Sequence, residues 1–95
     1  MRTVAESIMR TEPANHEIAF WYLGQEGFLI KSAGHLIAVD LYLSDHIDKT
    51  LNEEGVNWKR NYPPPVLPSQ LNALECLCLT HDHLDHMDPE TVIPL

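Results

Sequence analysis

The chain has 95 residues, 44% of them hydrophobic, and a formal charge of −8 from 6 Lys plus Arg against 14 Asp plus Glu. This composition excludes a disordered polymer and suits one small domain, or part of a larger one, with little room for an enclosed substrate pocket. After Arg60 there is no Lys or Arg, while Glu75, Asp82, Asp85, Asp88 and Glu90 follow; the imbalance argues against a nucleic-acid partner and suits a bound divalent cation, although a plain acidic surface has the same composition.

In chain order, Met1 to Arg10 carries Val4, Ala5, Ile8 and Met9 at helical spacing and predicts a short amphipathic helix, broken by Thr11 to His16 around Pro13. Glu17 to Leu23 is rich in aromatic and β-branched residues and reads as a strand. Gly24-Gln25-Glu26-Gly27 is a turn signal, Phe28 to Ser32 a second strand, Ala33-Gly34 a second turn, and His35 to Val39 a third strand closed by Asp40. Together they predict an antiparallel meander. Leu41 to Gln70 reads as a long polar loop, either a solvated connection or a wall of a site, with Pro63, Pro64, Pro65 and Pro68 preventing regular structure near its end.

Leu74 to Thr80 then predicts a strand that is apolar on both faces from Cys76 to Leu79. Cys76 and Cys78 would share one face of it, too far apart to bond, as buried reduced thiols. Asp88-Pro89-Glu90 is a helix start, with Asp88 as cap, Pro89 at the first helical position and Glu90 favoured by the helix dipole. No apolar run is long enough to span a membrane, and Met1 to Pro13 has no signal-peptide core. No membrane partner is expected, and a cytoplasmic location is the default. Residues 1–16 form an N-terminal extension, and 17–95 a β-rich part carrying the chemistry.

That chemistry sits in His81-Asp82-His83-Leu84-Asp85-His86. Imidazole nitrogens and carboxylate oxygens both ligate zinc-like ions. His81 and His83, two apart on an extended segment, can chelate one ion. Asp85 and His86 can face a second if the chain turns there. One histidine in a polar loop is usually a surface residue, but three histidines and Asp85 within six residues, directly after a buried strand, point to metal. A structural zinc site is the weaker reading, because such sites recruit cysteine thiolates. His16, His35 and His46 read as surface or turn histidines.

Thr80-His81-Asp82-His83-Leu84-Asp85-His86 resembles the signature of the metallo-β-lactamase superfamily. The resemblance extends, over roughly Ile18 to Val92, to the opening of its L-ascorbate-6-phosphate lactonase group, through Phe20-Trp21-Tyr22-Leu23-Gly24, Gly27-Phe28-Leu29-Ile30-Lys31-Ser32 and Ala38-Val39-Asp40. It implies an α+β fold, the N-terminal half of an αββα sandwich with metals at one edge. Two divalent ions, zinc or manganese, are implied, His81 and His83 binding the first, Asp85 and His86 the second. Asp85 would also orient the nucleophilic water, with Asp40 and Thr80 supporting the loop from behind.

The implied activity is opening of a lactone or related small ester-like substrate through metal-bound hydroxide. Phosphodiester hydrolysis or iron redox chemistry on the same fold is the alternative. The superfamily draws further ligands, a histidine, a bridging aspartate and a final histidine, from later in its chains. The expectation is therefore of a longer parent protein or a second chain, such as a homo-oligomeric copy, that completes the site and covers the inner sheet face; alone, the 95 residues would be an inactive half module.

Overall fold

The computed structural model describes residues 3–52, 55 and 58–95. Met1 and Arg2 of the expected helix and positions 53, 54, 56 and 57 of the expected loop lie outside them. The elements are helix α1 (Val4–Arg10), strands β1 (Ala19–Tyr22), β2 (Phe28–Ser32) and β3 (His35–Val39), helix α2 (His46–Asn52), a 3-10 turn at Pro68–Gln70, strand β4 (Cys76–Cys78) and helix α3 (Pro89–Val92). This is a mixed α+β arrangement around one four-stranded sheet of order β1-β2-β3-β4. The first three strands are antiparallel neighbours, as the meander predicts, whereas β4 joins β3 in parallel. Among the described residues no helix is long and apolar enough to cross a membrane.

Local chemistry explains the hairpins. Ala33 and Gly34 both take positive φ, 49° and 83°, as a two-residue turn between right-twisted strands requires. In the wider β1–β2 turn, Gly24 at φ 97° and Gln25 at φ 52° reverse the chain. The Gly27 amide then donates to Gly24 O, and the Leu23 amide to Gly27 O, each at 2.9 Å.

The register separates the two faces of the sheet. Trp21, Leu29, Leu36, Ala38 and Leu77 point to one side and form the core with Ile8 of α1 and Leu41, Leu43, Val66 and Leu71. Thr3 caps α1 by accepting from the Glu6 amide at 3.1 Å. Lys31 Nζ donates to the carbonyl of Ile8 at 2.9 Å, so a cation meets the negative end of the helix and pins it to the sheet. The other side carries Phe20, Tyr22, Phe28, Ile30, Ile37 and Val39, with Cys76 and Cys78. Phe20 is 57% and Tyr22 58% exposed, so this apolar face lies open among the described residues.

Two expectations need correction. Leu41 to Gln70 is not a merely polar, broken loop: Leu41, Tyr42, Leu43, Ile47 and Val66 are buried, and α2 occupies part of it. Leu41, Tyr42 and Leu43 are only three apolar residues in a row before Ser44-Asp45-His46, too few to give a periodic signal, and their burial depends on what packs across the fold. The prolines act as expected near the end, where Pro68 opens a single 3-10 turn. The second correction concerns Cys76 and Cys78, which are free, as expected, but exposed. Strand β4 is an edge strand whose Leu77 turns to the core, so the cysteines fall on the open face.

Candidate metal centre

Strand β4 delivers the chain to the end of β3, where Asp40 stands in the left-handed region at φ 49°. Aspartate tolerates that conformation better than most residues. It aims a buried carboxylate at the loop that follows β4: Oδ1 accepts from the Thr80 amide at 2.8 Å and Oδ2 from the Thr80 hydroxyl at 2.6 Å. Oδ2 also lies 2.8 Å from His86 Nδ1. Asp40 thus contacts residues at both ends of the histidine run, Thr80 and His86.

Between those ends the chain turns. The amides of His86 and Met87 donate to the His83 carbonyl at 2.9 and 2.8 Å, and the turn brings His86 back beside His81. The ring centroids of His81 and His86 are 3.8 Å apart, and those of His81 and His83 4.5 Å. His81 Nε2 faces His83 Nδ1 at 3.0 Å, and His86 Nε2 lies 3.7 Å from Asp85 Oδ2. The structure therefore gathers all four expected ligands into one loop, as a His81–His83 pair and an Asp85–His86 pair.

The orientation of the rings suits metal chemistry. His81 is held through Nδ1 by the Thr80 hydroxyl at 2.9 Å, and His86 through Nδ1 by Asp40. Each is left with Nε2 turned into the cluster, the usual division of labour in ligating histidines. Burial opposes the charge on Asp40, but the hydrogen bonds from Thr80 and His86 outweigh it and hold its pKa below the ordinary carboxylate value. The hydrogen bond to Asp40 raises the pKa of His86, with Asp85 and Glu26 adding to it through their charge. The donor types, three imidazoles and a carboxylate with two rings anchored from behind, are those zinc-like ions take, but they stand as pairs: among the described residues the trio whose ligand atoms all lie within 4.8 Å is His46, Asp88 and Glu90.

No protein-family model matches the chain, and no solved structure matches it. Over 78 residues it is 31% identical to an uncharacterized protein of Mycobacterium bovis, and equally to uncharacterized proteins of two strains of Mycobacterium tuberculosis. The match takes in 82% of this chain and 20% of each relative. The chain therefore spans about one fifth of the length of the curated relatives it matches.

Other groups lay outside the sequence expectations. Glu26, in the β1–β2 turn, acts on His86, and no local pattern marks it. Tyr22, Gln25, Trp58, Arg60 and Tyr62 line an open recess of about 390 Å³. Arg60 shapes it, donating through Nε to the Tyr62 carbonyl at 3.0 Å and through Nη1 to the Tyr42 carbonyl.

Of the histidines set aside earlier, His16 sits in an exposed turn and His35 pairs on the surface with Glu75 at 2.8 Å. His46 is different: it is half-buried, and its ligand atom lies with those of Asp88 and Glu90 within 4.8 Å. That trio is a structural clamp. Asp88 accepts from the hydroxyls of Ser44 and Thr91, each at 2.6 Å, and from the Glu90 amide. Glu90 is held by His46 at 2.9 Å and by Lys49 at 2.6 Å, so an ammonium already supplies the cation.

Proposed function

We propose that this chain is the metal-ligating part of a hydrolase of the metallo-β-lactamase superfamily, closest to its L-ascorbate-6-phosphate lactonase-like group and opening a lactone or related small ester-like substrate. The observation that carries the reading is the loop from Thr80 to His86, in which the His81 and His83 rings face each other, His86 lies beside His81, and Asp40 braces both ends. His81 and His83 would hold one divalent ion, zinc or manganese, and Asp85 and His86 a second. Ions held there would supply a water of lowered pKa and polarise the bond under attack. The chain's own contribution is positional. Asp40 fixes the His86 ring and Thr80 fixes His81, and Asp85 would orient the attacking water, as the resemblance implies.

The open apolar face opposite the core supports the finer fold reading, the first half of an αββα sandwich. On that reading, further polypeptide or another chain covers the face and supplies the remaining ligands. The matched relatives, about five times the length of the aligned part, have room for such a half.

Two measurements test the proposal. Calorimetric titration of the chain with Zn²⁺ and Mn²⁺ should show binding that a His81→Ala/His83→Ala variant loses. A full-length relative, assayed side by side against a lactone and a phosphodiester, should turn over the lactone. Failure of the chain to take up either ion, or turnover of the phosphodiester alone, would overturn the reading.

A further inference from the structure

Asp40, Thr80, His81 and His83 form a run of contacts in which each hydrogen bond dictates the next. Thr80 Oγ1 lies 2.6 Å from Asp40 Oδ2 and 2.9 Å from His81 Nδ1. At neutral pH an aspartate carboxylate only accepts hydrogen bonds, and a threonine hydroxyl has one proton to give. Two oxygens 2.6 Å apart need a proton between them, so the Thr80 proton points to Asp40. Towards His81 the hydroxyl then offers lone pairs alone, and that contact holds only if His81 carries its proton on Nδ1. Its Nε2 is left bare, 3.0 Å from His83 Nδ1. Two bare nitrogens repel at such a distance, so His83 Nδ1 carries the proton that fills this contact.

We propose that the Thr80 hydroxyl is a one-way relay, a positioning group that passes the hydrogen-bond direction set by Asp40 through His81 to His83 and fixes both rings as Nδ1–H tautomers in the metal-free chain. The inference deepens the metal-site reading, on which its consequence for binding rests. His81 keeps a bare Nε2 without any rearrangement, as does His86, whose Nδ1 lies 2.8 Å from the same Asp40 oxygen. His83 differs, because the nitrogen it turns to His81 is protonated. To ligate through that nitrogen the ring must shift its proton from Nδ1 to its own Nε2, staying neutral throughout. Two imidazole nitrogens on one tetrahedral zinc-like ion, with bonds of about 2.0–2.1 Å, sit about 3.3 Å apart. The 3.0 Å separation of His81 and His83 is close to that, so the proton shift, not a movement of the loop, is the main change.

The test is long-range proton–nitrogen NMR of the metal-free 95-residue chain at mildly alkaline pH, where imidazoles are neutral. The nitrogen shifts read directly which ring nitrogen carries the proton. His81 and His83 should both show Nδ1–H. Thr80→Val keeps the backbone amide that Asp40 Oδ1 accepts at 2.8 Å and removes only the relay. In it, His81 should populate the Nε2–H form while His86 stays Nδ1–H, and zinc affinity should fall about tenfold or more. Thr80→Ser should restore both. Nε2–H on His81 or His83 in the wild-type chain, or a His81 tautomer unchanged in Thr80→Val, would overturn the relay. The stated tautomers without zinc uptake would sink the metal-site reading and leave the relay standing.

Discussion

Asp40 and His86, 46 positions apart, meet at 2.8 Å between Oδ2 and Nδ1, and the same carboxylate takes the amide and hydroxyl of Thr80. A strand end thereby fixes the orientation of a ring six residues beyond the residue that anchors the loop. Supporting contacts of this kind are commonly worth about 10–100-fold in metal affinity. Asp40→Ala should therefore weaken Zn²⁺ binding at the histidine loop by about that factor, read by competition with a chromophoric chelator. Asp40→Asn tolerates the positive φ and keeps an acceptor for Thr80, so its loss should be smaller. Equal losses in the two variants would show that charge alone matters.

Asp88 ties the same loop to the body of the protein. It caps α3 and takes the hydroxyls of Ser44 and Thr91, while Thr91 in turn accepts from the buried Leu43 amide at 2.9 Å. Asp88→Ala removes a cap and leaves two hydroxyls without their acceptor, together costing about 2–4 kcal/mol. Denaturant unfolding should register the loss. Asp88→Asn, which keeps a capping oxygen, should recover part of it.

The sequence made local geometry legible and non-local packing much less so. The bounds of β2 and β3 could be read because Gly24 to Gly27 and Ala33-Gly34 demand turns on either side of apolar runs. The cap at Asp88 was readable because its partners lie within three residues. The four residues proposed as ligands could be singled out because they share one segment, and Asp40 through its resemblance to a family pattern; their roles remain the proposal made above. Leu41, Leu43 and Ile47 were missed as core, as were the His46–Glu90 contact and the action of Glu26 on His86, because each depends on what lies across the fold. The cysteines were misplaced for a related reason: an apolar strand does not say whether anything covers its second face.

Glu90 gives a dependence on pH. Hydrogen bonds from Lys49 and then His46 hold its pKa below the ordinary carboxylate value. A carboxylate depressed in the folded state contributes stability that is present above its unfolded pKa and is lost as pH falls through the folded value. Glu90→Gln should thus lower the melting temperature slightly near neutral pH, as expected for an exposed pair. The difference from wild type should shrink as the medium is acidified below the carboxylate range. A difference that stayed constant down to strongly acidic pH would assign the effect to packing.

The two faces of the sheet should respond differently to truncation. Leu29, fully buried in β2, packs into the core, and Leu29→Ala should cost about 2–5 kcal/mol. Phe20, on the open face, gains mainly from its ring contact with Phe28 at a centroid distance of 4.9 Å. Phe20→Ser should cost about 1 kcal/mol or less, the worth of one aromatic pair. It should also reduce binding of a hydrophobic dye, because it removes exposed apolar surface. Guanidinium unfolding of both variants, with dye fluorescence of the folded forms, makes the comparison. If Phe20→Ser were as costly as Leu29→Ala, the face would already be covered in the isolated chain, and the half-sandwich reading would lose its main support.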